Sequence, residues 1–80
     1  MSKVAILGAG RWGCALGLVL SRKGNEVMLF DKNPSVVEAL KEGKDPYWVI
    51  DFEKKPLATT HLEEALDFSQ YILIALPVQV

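Results

Sequence analysis

Val4-Ala5-Ile6-Leu7-Gly8-Ala9-Gly10-Arg11-Trp12-Gly13 joins a short apolar run to a glycine-spaced turn and then to a helical pattern. Val4 to Leu7 are four consecutive apolar residues, which suits a parallel strand buried on both faces better than a half-exposed one. Gly8, Gly10 and Gly13 follow with the spacing G-x-G-x-x-G. Each glycine has a mechanical reason in such a turn. The first allows the sharp strand-to-helix reversal, the second lets a pyrophosphate approach the backbone, and the third lets helix and strand pack closely. The helix that follows offers unpaired N–H groups and the positive end of its dipole to phosphates. A structural βα turn can carry the same spacing by itself, so the weight of the reading lies in its context of strand, helix and a downstream acid.

Working outward, Trp12, Ala15, Leu16, Val19 and Leu20 recur at helical spacing and predict one apolar face for a helix over Arg11 to Lys23. Gly17 inside that helix predicts a close approach to the sheet, because glycine there costs about 1 kcal/mol against alanine. Arg22 and Lys23 suit the negative end of the helix dipole, and Gly24 suits the position just past it. A second apolar run, Val27 to Phe30, ends at Asp31. An acid there is placed to accept hydrogen bonds from an adenosine ribose, and its offset from the glycine turn is close to that of dinucleotide-binding domains. The same carboxylate repels a 2′-phosphate, whereas Lys32 beside it is placed to attract one. A turn acid and a solvated lysine are the alternatives, and NAD is the expected cofactor with NADP open.

Asn33 and Pro34 predict the start of a second helix, whose apolar side is Val36, Val37 and Leu40 and whose end is Gly43. Lys44 to Pro56 has no regular period, but Tyr47, Trp48, Val49, Ile50 and Phe52 predict a packed excursion over one end of the sheet, with a substrate or partner contact as the alternative. Leu57 to Thr59 predicts a short third strand. Thr60 and Glu63 form T-x-x-E, a capping box for a helix through Leu62, Ala65 and Leu66. Tyr71 to Leu76 reads as a buried strand terminated by Pro77. The alternation β-α-β-α-β-α-β predicts an α/β fold, a partial Rossmann domain with a doubly wound parallel sheet, right-handed crossovers and strand order 3-2-1-4. Chain reversal between the first and fourth strands places a crevice between Gly8 to Gly13 and Pro77 to Val80.

Composition excludes other classes. The 80 residues are 50% hydrophobic and 24% charged, which is globular in character. A net charge of −1 gives no general attraction to nucleic acid or to an anionic membrane. Cys14 is the only cysteine and His61 the only histidine, so no internal disulfide forms and a zinc site is implausible. His61 has no nucleophile or acid pair around it in sequence, and Cys14 reads as a small packed residue. The apolar run near the N-terminus is broken at Gly8 and is too short for a signal or a span. A reducing, cytoplasmic setting fits these features.

The run Gly8-Ala9-Gly10-Arg11-Trp12-Gly13-Cys14-Ala15-Leu16, followed by Gly24-Asn25-Glu26-Val27, resembles the N-terminus of the bacterial NAD(P)-dependent glycerol-3-phosphate dehydrogenases. Asp45-Pro46-Tyr47, Leu57-Ala58-Thr59-Thr60 with Leu62-Glu63-Glu64-Ala65, and Ile74-Ala75-Leu76-Pro77-Val78-Gln79 resemble the same family in the same order. The resemblance covers essentially the whole chain but only the first quarter of a family member. It implies an oxidoreductase interconverting sn-glycerol 3-phosphate and dihydroxyacetone phosphate by hydride transfer, feeding phospholipid synthesis. It also implies cofactor contacts at Gly8, Ala9, Gly10, Arg11, Trp12 and Gly13 and at Lys32. Arg11 stands where the family usually has serine, Cys14 where it has threonine, and Asp31 where many members have a small residue before a basic one.

Residues 1–80 are therefore expected to be the first part of a dinucleotide-binding domain, with cofactor contacts at Gly8 to Gly13, Asp31, Lys32 and Pro77. The later strands and the helical domain that carries the family's catalytic lysine are expected to be absent, leaving the chain alone inactive. A non-catalytic dinucleotide-binding module is the alternative. A sheet that stops at its fourth strand leaves an apolar edge at residues 71–76, and self-association through that edge is expected.

Overall fold

The computed structural model describes residues 1–44 and 55–75. Along the chain these form β1 (Lys3–Leu7), α1 (Arg11–Arg22), β2 (Glu26–Phe30), α2 (Pro34–Lys41), β3 (Leu57–Thr59), α3 (Leu62–Phe68) and β4 (Tyr71–Ile74). The strands make one sheet in the order β3-β2-β1-β4, and every neighbouring pair is parallel. Lys3 to Leu7 lie opposite Glu26 to Phe30, Val4 to Leu7 opposite Tyr71 to Ile74, and Met28 to Phe30 opposite Leu57 to Thr59. This is the Rossmann-type order expected from the alternation of strands and helices.

Alternation along the strands divides the core into two layers. Val4, Ile6, Val27, Leu29 and Ala58 share one layer with Ala9, Cys14, Val37 and Leu40 from the α1 and α2 side. Ala5, Met28 and Phe30 share the other with Ala65 of α3, and Leu7 and Phe68 pack at its margin. Both faces of β1 and β2 are thus covered, which is why these strands are continuous apolar runs.

Local chemistry fixes the helix ends. Gly24, with φ +92°, sits just past α1, where a side chain would be strained. Its N–H donates to the Ser21 carbonyl at 3.0 Å and the Asn25 N–H to that of Leu20 at 3.1 Å. The Asn25 side chain also donates to the Leu20 carbonyl and accepts from the Ser2 N–H, tying the chain start to the end of α1. The end of α2 repeats the pattern, with Gly43 N–H to Leu40 and Lys44 N–H to Ala39. Its start is capped as expected: Asn33 Oδ1 accepts from the Ser35 N–H at 3.0 Å and Pro34 occupies the first turn.

Four expectations are corrected. The buried side of α1 is Gly13, Cys14 and Gly17, flanked by Leu16, Leu18 and Leu20. Trp12 is 77% exposed and Val19 also faces outward. Apolar residues surround most of α1, so spacing alone does not choose the face, and the sheet takes the side with the smallest residues. At Gly17 the approach is less tight than expected, since an added Cβ would meet Leu29, Ile6 and Val27 at ordinary contact distances of 3.5 to 3.6 Å.

The Thr60–Glu63 capping box does not form. His61 is the N-cap of α3, without a side-chain cap, and the His61 N–H instead donates to the Thr59 hydroxyl at 3.0 Å. Thr59 is buried at the end of β3 and sets the turn one residue later than the box requires. Finally, β4 ends at Ile74 and is exposed along its length instead of buried, because no described helix covers either of its faces. The packed excursion expected at Lys44 to Pro56 falls almost wholly outside the described residues, as does Pro77.

Candidate functional site

The site lies at the carboxyl ends of β1 and β2. Gly8 leaves β1 with φ +111°, a backbone conformation open to glycine, and its N–H donates to the Phe30 carbonyl at 2.8 Å. The chain turns through Ala9 and enters α1 at Gly10, the N-cap, whose extended φ and ψ of −76° and −169° any residue can adopt. Gly13 lies directly over the start of the turn, and a Cβ on it would collide with the Gly8 carbonyl oxygen. The first and third glycines are therefore required by the protein's own geometry.

Gly10 is different. Among the described residues a Cβ built on it meets nothing within 4 Å, so none of them demands glycine there. The open space lies at the start of α1, where no side chain caps the helix and no acid occupies the first turn. The first-turn N–H groups lack intrahelical acceptors by the geometry of any helix. Together with the helix dipole they make a cradle of the right chemistry for a pyrophosphate. Arg11 and Trp12 project from this turn, both exposed.

Asp31 follows β2 directly and its N–H donates to the Thr59 carbonyl at 3.2 Å, so it is held in line with the sheet. Its carboxylate points back to the turn: Oδ2 accepts from the Ala9 N–H at 3.1 Å and Oδ1 from the Asn33 N–H at 2.9 Å. Asp31 is half-buried and Lys32 beside it is exposed. Each carboxylate oxygen has a further acceptor site after these bonds, so the group retains capacity for hydroxyl donors. The structure thus brings Gly8, Ala9, Gly10, Gly13 and Asp31 together, with Arg11, Trp12 and Lys32 at the margin. The Asp31–Ala9 bond was not foreseen, although a strand order placing β2 beside β1 contains the signal. Thr59 was likewise missed as a support.

Elsewhere, Cys14 is fully buried and its thiol donates to the Ala9 carbonyl at 3.5 Å. His61 is exposed. Among the described residues no group of three or more His, Cys, Asp or Glu side chains is placed to hold a metal ion, and no helix is long and apolar enough to cross a membrane. A cavity of about 220 Å³ lies at the other end of the sheet, lined in part by Ser21, Asn25, Glu26 and Lys55, away from the glycine turn.

A parallel 3-2-1-4 sheet with a glycine turn and a bare helix N-terminus at its carboxyl edge defines a Rossmann-type dinucleotide-binding domain. Comparison narrows the class. Residues 3–80 match the family model of the NAD-dependent glycerol-3-phosphate dehydrogenase N-terminus, and the chain belongs to that family. Relatives named glycerol-3-phosphate dehydrogenase (NAD(P)+) include those of Nocardia farcinica, 38% identical, and Bacillus velezensis, 37% identical. Each aligns with 99% of this chain and 24% of the relative. A crystal structure of glycerol-3-phosphate dehydrogenase from Coxiella burnetii superposes with a TM-score of 0.79 at 37% identity, over 91% of this chain and 23% of that one. The chain therefore spans about a quarter of the length of the curated relatives it matches.

Proposed function

We propose that residues 1–80 form the adenine-nucleotide half of the cofactor domain of a cytoplasmic oxidoreductase that interconverts sn-glycerol 3-phosphate and dihydroxyacetone phosphate. The nicotinamide dinucleotide supplies the hydride chemistry. This chain's residues bind and orient it: Gly8, Ala9, Gly10 and Gly13 receive the pyrophosphate with the first turn of α1, Arg11 and Trp12 flank it, and Asp31 accepts from the adenosine ribose. Pro77 and Lys32 are assigned to the cofactor's borders. The observation that carries this reading is Gly10, a glycine whose Cβ direction is empty among the described residues, at the start of a helix without a side-chain cap.

NAD is the preferred cofactor on this reading, because a 2′-phosphate would face the Asp31 carboxylate. Titration with NADH and with NADPH, followed by quenching of tryptophan fluorescence, tests this. Tighter binding of NADH is expected; equal binding of the two, or tighter NADPH, would remove Asp31 from the ribose site.

The exposed β4 favours a second property of the isolated chain. Tyr71 is 61% and Ile74 73% exposed, and the outer edge of the strand is unpaired within the described sheet. Such an edge pairs with another chain, and we propose self-association through it.

A further inference from the structure

The turn at the mouth of α1 is sewn to the end of β2 at two points, and one of them is a charged side chain. Gly8 N–H donates to the Phe30 carbonyl at 2.8 Å, as a continuation of the β1–β2 ladder. One residue on, the ladder ends, and the Ala9 N–H is satisfied by Asp31 Oδ2 at 3.1 Å instead of by backbone. Ala9 is fully buried, so this N–H has no ready replacement from water. The other carboxylate oxygen takes the Asn33 N–H at 2.9 Å, and the Asp31 N–H is fixed on Thr59. The carboxylate is thus held by two N–H donors and its backbone by a third bond, and the conformation that Gly8 adopts at φ +111° is anchored through it.

Resting on the cofactor reading above, we propose that Asp31 is a positioning residue for the pyrophosphate turn, in addition to any contact with the ribose. It holds Ala9, and with it the Gly10 to Gly13 backbone, in the geometry that receives the phosphates. The two roles separate with a ligand that has the diphosphate but no ribose hydroxyls. A residue that only accepts from the ribose does not affect binding of 2′,3′-dideoxy-ADP, and removing its negative charge should even favour that anion. A residue that holds the turn weakens it when substituted.

The test uses the full chain and Asp31→Ala, which removes both side-chain acceptors. Amide hydrogen exchange should show the Ala9 N–H accelerated about tenfold, the worth of one hydrogen bond to a charged group, while the Ile6 and Leu29 amides stay protected and report an intact sheet. Binding of 2′,3′-dideoxy-ADP should weaken several-fold, and NADH more than that. In the unsubstituted chain, a through-hydrogen-bond coupling between the Ala9 amide nitrogen and the Asp31 carboxyl carbon checks the bond without any substitution. Unchanged Ala9 exchange, absent coupling, or unchanged or tighter dideoxy-ADP binding in the variant overturns the proposal. A chain in which Ala9 exchange accelerates but neither nucleotide binds even before substitution keeps the brace on the turn and removes the dinucleotide reading instead.

Discussion

Gly13 in α1 lies so close to the carbonyl oxygen of Gly8 that the space for a Cβ is already filled by backbone. Neither partner can swing aside, since one follows directly on β1 and is bonded to β2 and the other lies in the first turn of a helix pressed on the sheet. Gly13→Ala is therefore expected to destabilise the fold by about 1–3 kcal/mol, outweighing alanine's gain of about 1 kcal/mol in helix propensity. Urea denaturation of the two proteins measures this, and a neutral or stabilising result would place the turn differently.

Gly17, one turn later on the same face, gives the opposite expectation. A methyl group there meets Leu29, Ile6 and Val27 at 3.5 to 3.6 Å, contact without overlap. Gly17→Ala should stabilise by about 0.5–1 kcal/mol through helix propensity and the reduced freedom of the unfolded chain. A rise in thermal midpoint checks it.

At α2 the cap rests on one side chain. Asn33→Ala removes the acceptor for the Ser35 N–H and should cost about 1 kcal/mol. Faster exchange of the Ser35 amide, with the β1 amides unaffected, would localise the loss to that helix start.

Along β4, a charge on the exposed edge should suppress association without harming the core. Ile74→Lys places an ammonium where 73% of the side chain is already exposed. Sedimentation velocity should show larger species for the unsubstituted chain and a monomer for the variant; identical profiles would exclude β4 as the contact.

Strand order and element types were legible because β1 and β2 are apolar on both faces and because Gly8, Gly24 and Gly43 punctuate the chain where positive φ is needed. The meeting of the glycine turn with Asp31 at one end of the sheet was legible too, since spacing and chain order carry that information directly. The face of α1 was not, because Trp12 and Val19 are as apolar as the residues that pack, and only the fit of Gly13 and Gly17 against the sheet separates them. The start of α3 was misread because Thr59, a strand residue, competes for the turn that Thr60 and Glu63 would otherwise close. The bond from Ala9 to Asp31 joins residues 22 apart in sequence, and needs the sheet to be visible.

On the proposed reading the open backbone at Gly10 receives a pyrophosphate, and Gly10→Val should block it. The backbone there is extended and allowed for valine, and a Cβ meets none of the described residues within 4 Å, so the variant should keep the circular dichroism of the parent chain. Titration with NADH, followed by tryptophan fluorescence, should then show saturable binding by the unsubstituted chain and none by the folded variant. Equal NADH binding by the two proteins would contradict the account, because the dinucleotide would then lie somewhere other than the glycine turn.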